Sequence, residues 1–139
     1  MNRFILLFLT SIALFAGDYE DIEWELDYKD ATKVANYQKK PIMVLITTKR
    51  CKWCKKMKHK TLSDDSVINR LNENFVTVEV TRREDDYPYK ELRARAVPTI
   101  YFLSAEGKKI MRPVMGYWNV ENFMSYIGKA EKEAMRSAK

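Results

Sequence analysis

Residues 42–60 read IMVLITTKRCKWCKKMKHK, an apolar run followed by two cysteines inside a lysine-rich segment. The run Ile42–Ile46 is continuously apolar, which is typical of a strand buried on both faces. The segment after Cys51 predicts a helix that continues to His59 or Thr61. A C-x-x-C pattern that follows a buried strand and opens a helix is typical of a redox site.

The spacing of the two cysteines suits thiol–disulfide chemistry. Two intervening residues place both sulfurs on one helical turn, within the ~4.4–6.8 Å Cα separation that a disulfide needs. Cys51 lies at the predicted helix N-terminus, where free N–H groups and the helix dipole favour a thiolate. Residues 49–60 also hold seven cations and no acid: Lys49, Arg50, Lys52, Lys55, Lys56, Lys58 and Lys60. We therefore expect the thiol pKa of Cys51 to lie well below the ~8.5 of free cysteine, and this lowering to weaken in salt.

The rest of the chain predicts a mixed α/β domain. Helical spacing is found over 30–38, over 66–71 after a cap-rich stretch, and over 119–132, and Pro88 begins a short helical turn. Strands are predicted over 75–80, over 97–103, and from a turn at 105–107 through Ile110, Met111 and Val114. This order predicts a mixed central sheet with helices on both faces. No repeat or linker divides residues 18–139, so they form one domain.

At these residues the chain resembles the thioredoxin-fold proteins, from about residue 22 to residue 132. Cys51 and Cys54 stand where that family has its redox pair, Val97-Pro98-Thr99 where it has a cis-proline, and Gly116 where a glycine precedes the last helix. The flanking segments 40–41 and 61–64 are most similar to the C-terminal domain of the periplasmic disulfide reductase DsbD and its small single-domain relatives.

The resemblance implies a role for each of these residues. Cys51 would be the nucleophile and Cys54 the resolving thiol, in a thiol–disulfide oxidoreductase that needs no organic cofactor. Trp53, Val97 and Pro98 would form the substrate groove, with a cis bond between Val97 and Pro98. Partners would be protein thiol or disulfide substrates and a redox partner protein. The protein itself would be a monomer. The DsbD-like flanks favour a reductase. An isomerase, an oxidase and a non-catalytic module that binds client proteins stay open.

Two positions depart from the family pattern. The family carries an acid six residues before the first cysteine, where this chain has Leu45, and often Trp just before it, where this chain has Arg50. Strand alternation sends Glu79 to the same face as Phe75 and Thr77. If that face covers the redox helix, Glu79 could replace the missing acid as a proton relay to Cys54. The alternative is that Glu79 simply reaches water at the strand end.

Composition excludes several other classes. Hydrophobic residues make up 46% and charged residues 32% of the 139 residues, which argues against a disordered chain. Two cysteines with His59 give three ligands at most, so no closed zinc site is expected, and Lys55 stands where a haem attachment motif needs histidine. His59 is interpreted as a surface residue. The net charge is +6, but only Trp53 lies among the cations as a stacking aromatic, so nucleic acid is not expected as a partner.

Residues 1–17 are typical of a secretory signal peptide. Arg3 precedes the apolar run Phe4–Phe15, and small Ala16 and Gly17 follow it. A spanning helix needs ~20 apolar residues, so this run is short for one. Cleavage after Ala16 or Gly17 would give a periplasmic or otherwise exported protein without membrane insertion. An uncleaved tether in the inner membrane is the alternative.

Overall fold

The structure, a computed structural model, describes residues 16–139. Apart from Ala16 and Gly17, the predicted signal peptide lies outside the described residues. A 3-10 turn at Tyr19–Asp21 comes first. The elements that follow are α1 Tyr28–Gln38, β1 Ile42–Thr47, α2 Lys52–Lys60, α3 Asp65–Asn74, β2 Val76–Thr81, β3 Thr99–Leu103, β4 Val114–Met115 and α4 Val120–Ser137.

The four strands form one mixed sheet in the order β2-β1-β3-β4. β1 is parallel to β2 and antiparallel to β3, and β4 is antiparallel to β3. All six residues of β1 are buried, because this strand lies in the middle of the sheet with elements packed on both faces. The predicted mixed sheet is confirmed.

Two apolar clusters cover the two faces of the sheet. On one face, side chains of α2, α3 and α4 pack with Met43, Leu45 and Phe75. On the other face, α1 and the segment around Tyr87 pack with Val76, Val78 and Val80. The predicted alternation along β2 is therefore correct, and helices lie on both faces of the sheet.

The last strand is shorter than predicted. Only Val114 and Met115 pair with β3, although Ile110 N–H still donates to the Phe102 carbonyl at 3.1 Å. Pro113 has no N–H group, so it cannot continue a ladder of hydrogen bonds between the bridge at Lys109 and Val114. The prediction of one strand from Ile110 through Val114 is wrong for this reason.

Helix boundaries differ by a few residues from the predicted ones. α1 begins earlier because Asp27 caps it, accepting the N–H of Asp30 at 2.8 Å. α4 continues beyond Lys132 to Ser137, since residues 130–136 are mostly good helix formers. Pro88 opens the predicted short helical turn, which the Leu92 N–H closes by donating to the Pro88 carbonyl at 2.9 Å.

The residues before α1 run along the outer edge of the sheet, beside β2. Trp24 forms a parallel bridge with Thr77, and Thr77 Oγ1 donates to the Glu23 carbonyl at 2.9 Å. Gly17 lies so close to Asp65 and Ile68 that a side chain there would collide with both. Tyr19 is buried in consequence, near the end of the sheet where α2 begins.

Candidate active site

The cysteine pair sits at the junction between β1 and α2. Cys51 is the N-cap of α2, and its Sγ accepts the backbone N–H of Cys54 at 3.0 Å. The two sulfurs form a disulfide with a Cα–Cα distance of 5.2 Å. Cys51 keeps 8% of its surface exposed and Cys54 3%, so Cys51 is the more accessible sulfur. The helix start also supplies the N–H groups that stabilise a Cys51 thiolate after reduction.

The loop before β3 lies directly against Cys51. The bond between Val97 and Pro98 is cis, the isomer that the resemblance implied. Cys51 Sγ lies 3.6 Å from the Val97 carbonyl oxygen. Gly116 N–H donates to the Pro98 carbonyl at 2.8 Å, and Gly116 adopts a φ of 83°, which favours glycine. β4 therefore fixes the proline loop beside the cysteines.

Trp53 stands on the rim of the site. Half of it is exposed, at 51%, and its ring lies 6.2 Å from the ring of Tyr117. Lys56 Nζ lies 5.1 Å from the Trp53 centroid and 4.5 Å from the Tyr117 centroid, a cation–π contact with both rings. Met115, on β4 and two residues before Tyr117, is also exposed. Trp53, Val97 and Pro98 thus lie near the more accessible sulfur, as expected for a groove.

A cavity of about 250 Å³ lies beneath the cysteines, and Glu79 lines it. Its other lining residues are Thr47, Thr48, Lys49, Cys51, Cys54, Lys55, Lys58 and Thr81. In the parallel pairing of β1 with β2, Glu79 is the partner of Leu45. The carboxylate therefore stands one strand away from the position where the resembling family has its acid.

Three side chains hold the Glu79 carboxylate. Thr47 Oγ1 donates to it at 2.8 Å, Lys58 Nζ lies 2.6 Å from Oε1, and the Tyr19 hydroxyl donates to Oε2. Burial raises the pKa of Tyr19 far above its usual value, and the hydrogen bond to Glu79 raises it further. Tyr19 therefore stays a neutral donor, and Glu79 is held in place inside the cavity. A quarter of the Glu79 side chain, 25%, stays exposed to water.

The sequence did not indicate two members of this network. In the sequence Lys58 is one of seven similar cations, and no pattern distinguishes Tyr19. Helical spacing offers a partial signal for Lys58, since it lies one turn beyond Cys54 on α2. Tyr19 lies 60 residues from Glu79, and no pattern in the chain relates them.

The cationic surround is weaker than the sequence suggests. Lys58 is paired with Glu79, and Lys49 forms an exposed ion pair with Glu84 at 2.6 Å. Lys56 is engaged by two aromatic rings. Within residues 16–139, five of the seven cations form no ion pair: Arg50, Lys52, Lys55, Lys56 and Lys60. His59 is exposed on the outer face of α2, as predicted.

The paired cysteines are neither part of a metal-ligand cluster nor next to a membrane-spanning helix within the described residues. Among residues 16–139 no three His, Cys, Asp or Glu side chains come together as ligands for a metal ion. In the same part of the chain, no helix has the length and hydropathy needed to cross a bilayer.

Comparisons with known proteins agree with this geometry. A family model described as a thioredoxin-like domain matches residues 28–131. The thiol:disulfide interchange protein DsbD of Pectobacterium atrosepticum is 32% identical over 93 residues, 64% of this chain. A thioredoxin from Thermus thermophilus matches with a TM-score of 0.73 and 21% identity, over 86% of this chain and 94% of that one. The oxidised C-terminal domain of Neisseria meningitidis DsbD matches with a TM-score of 0.59 and 22% identity, over 73% and 91%.

The two kinds of comparison support different statements. The solved structures, at 21% and 22% identity, show the fold alone. The chain spans only 16% of the length of the Pectobacterium protein, so it corresponds to one part of that relative.

Proposed function

The chain belongs to the thioredoxin-like domain family, in which an adjacent cysteine pair indicates a thiol–disulfide oxidoreductase, and we propose that it is an exported reductase of protein disulfides. One observation carries this proposal above all. Cys51 caps α2, accepts the Cys54 N–H, and lies 3.6 Å from the carbonyl of Val97, beside a cis-proline.

The proposed reaction passes two electrons from the cysteine pair to the substrate. The Cys51 thiolate attacks one sulfur of a substrate disulfide, which forms a mixed disulfide and expels the other substrate sulfur as a thiolate. Cys54 then loses its proton and attacks the Cys51 sulfur, which releases the second substrate thiol. The protein is left with the Cys51–Cys54 disulfide, and a redox partner protein must reduce it again.

The groove assignment rests on the surroundings of Cys51. An extended substrate segment that pairs with the backbone at Val97 would bring its own sulfur towards Cys51. Trp53 offers an exposed ring on the same rim, next to Tyr117. These contacts support an unfolded or loop-borne protein disulfide as the substrate, and we propose that the enzyme acts on it as a monomer.

Glu79 is proposed as the proton acceptor for Cys54. Burial in apolar surroundings raises the pKa of a thiol, so Cys54 needs a base before it can attack. Glu79 lines the same cavity as Cys54 and is the partner of Leu45 across the sheet. The proton would pass from Cys54 to this carboxylate and then, through the open cavity, to water.

Export and direction rest on the sequence. The order of a cation, an apolar run and small residues over 1–17 supports cleavage after Ala16 or Gly17 and a periplasmic location. The DsbD-like segments that flank the cysteines support a reductase over an isomerase or oxidase. Alkaline phosphatase fused after Tyr28 tests export, because that enzyme gains activity only outside the cytoplasm.

Insulin reduction by dithiothreitol tests the activity. The full chain should accelerate the reduction, while Cys51→Ser and Cys54→Ser should not, and Lys132→Gln on the outer side of α4 serves as the control. In Cys54→Ala the mixed disulfide cannot be resolved, so a substrate protein should stay linked to Cys51 and be identified by mass spectrometry. An inactive wild-type chain that still binds client proteins would replace the proposal by the binding module.

A further inference from the structure

A second cavity, of about 720 Å³, opens on the segment that joins β2 to the cis-proline loop. We call it the arginine cavity. Five cations line it, together with two tyrosines, one alanine and a single acid: Arg82, Arg83, Lys90, Arg93, Arg95, Tyr87, Tyr89, Ala94 and Asp85. None of the five cations forms an ion pair with a carboxylate of residues 16–139. The cavity therefore carries uncompensated positive charge.

Of the four acids in the segment 82–95, two have contacts elsewhere. Asp85 accepts the backbone N–H of Thr81 at 2.6 Å, and Glu84 pairs with Lys49. Asp86 and Glu91 do not line the cavity, whose lining holds five cations and one acid. A concave basic surface of this kind favours an anionic ligand over a neutral one.

Arg82 forms the fixed side of the cavity. Its Nη1 donates to the carbonyls of Ala94 and Arg95, at 2.6 and 3.2 Å, and its backbone N–H donates to Thr47 at 2.9 Å. Its Nε is buried and has no hydrogen-bond partner among the described residues. A buried donor without an acceptor is unfavourable, and a carboxylate bound to this guanidinium would supply the acceptor.

The arginine cavity adjoins the cysteine site at two points. Thr81 lines the cavity beneath the cysteines, and the next residue, Arg82, lines the arginine cavity on the opposite face of the sheet, at the same end. Arg95 is two residues from Val97, so their Cα atoms lie within ~7.6 Å of each other at 3.8 Å per residue. A substrate segment that pairs at Val97 thus passes the cavity within a few residues of its reacting cysteine.

We propose that the arginine cavity binds an acidic side chain of the protein substrate, two to four residues from the cysteine that reacts with Cys51. The cavity selects disulfides with a neighbouring Asp or Glu, and it draws their carboxylate onto the guanidinium groups while the sulfur meets Cys51. This inference rests on the proposed function for the exchange reaction and adds the class of substrate.

Matched peptides test the selection. A quenched disulfide peptide carries Glu three residues from its cysteine, on either side, and its partner peptide carries Gln there. We expect the wild-type chain to reduce the Glu peptide about fivefold faster, the effect of one partly exposed ion pair. Arg93→Gln/Arg95→Gln should remove most of this preference. Lys129→Gln/Lys132→Gln on α4, which removes the same charge far from the cavity, should keep it.

The outcomes separate the two proposals. Equal rates for the two peptides with the wild-type chain, or the same loss of preference in the α4 variant, would overturn the arginine cavity as a selective site and leave the reductase intact. Peptides with Ser in place of Cys provide a second measurement, since their equilibrium binding needs no redox chemistry. Preferential binding of the Glu form that is lost in Arg93→Gln/Arg95→Gln supports the site, whether or not the disulfide peptides are reduced. Failure to reduce either disulfide peptide would overturn the proposed reductase activity alone.

Discussion

Replacing Glu79 by Gln should slow the second step of disulfide exchange without preventing the first. Gln keeps the shape of the side chain and an oxygen that Thr47 Oγ1, now 2.8 Å from the carboxylate, can still donate to. It removes the base and the ion pair with Lys58. The substitution therefore separates proton transfer from packing.

The structure sets the size of the effect. A positioned general base contributes ~10²–10⁴-fold to the rate of a proton-transfer step. The Glu79 carboxylate is already held by the Lys58 ammonium at 2.6 Å and by two hydroxyl donors, so we take the lower end of this range. We expect release to slow by about 100-fold at neutral pH, or ~2.7 kcal/mol on the barrier. Loss of the half-buried ion pair should also cost about 1 kcal/mol of folding free energy.

Reduced protein mixed with Ellman's reagent gives the measurement. Attack by Cys51 releases one thionitrobenzoate, and attack by Cys54 on the mixed disulfide releases the second, at a rate independent of reagent concentration. Glu79→Gln should slow only the second release, and the deficit should shrink as rising pH ionises Cys54 without help. Glu84→Gln is the matched control, because it removes a carboxylate from the rim that does not line the cysteine cavity. A second phase unchanged from acid to alkaline pH, or slowed equally in Glu84→Gln, would refute the relay.

Four other predictions follow from the same geometry. The thiol pKa of reduced Cys51 should lie below the ~8.5 of free cysteine and move towards it in high salt, which thiolate absorbance against pH measures. Thr61→Val should cost ~1–3 kcal/mol in urea unfolding, because the fully buried hydroxyl donates to the Trp118 carbonyl at 2.5 Å, and an unchanged midpoint would contradict this. Met57→Ala should cost ~2–5 kcal/mol by the same assay, since this side chain is fully buried under the redox helix. Stability should fall above pH ~10, where Tyr19 ionises in the unfolded chain but keeps its proton in the native one, its pKa being raised by burial; Tyr19→Phe should show a shallower fall, and an equal slope would refute the assignment.

Local patterns explain what could be predicted from the sequence. The buried strand β1 is a continuous apolar run, and a cysteine pair at a strand-to-helix junction has few other uses. Alternation along β2 predicts that Glu79 shares a face with Phe75 and Thr77, and in the structure α2 packs on that face. These inferences need only neighbouring residues, and the structure agrees with them.

What could not be predicted depends on contacts between distant segments. Tyr19 meets Glu79 across 60 residues, and no periodicity relates the two. The arginine cavity is formed by a polar segment, 82–95, whose cations look scattered until the backbone folds around Arg82. Pro113 does mark the break in the last strand, because it has no N–H group for the ladder. The apolar residues on either side of it nevertheless predict a continuous strand.

The bond between Tyr19 and Glu79 has a practical consequence for anyone who handles this protein. It joins the first residues that the structure describes to the redox centre, with only Asp18 between Tyr19 and the closely packed Gly17. A purification tag or fluorescent fusion placed there would displace Tyr19 and, through it, Glu79, and so change the rate of disulfide exchange. Lys139, exposed beyond the end of α4, is the better place for a handle. In the cell, a protease that cleaves the chain near Gly17 would likewise change the surroundings of Glu79 and, with them, the rate of disulfide exchange.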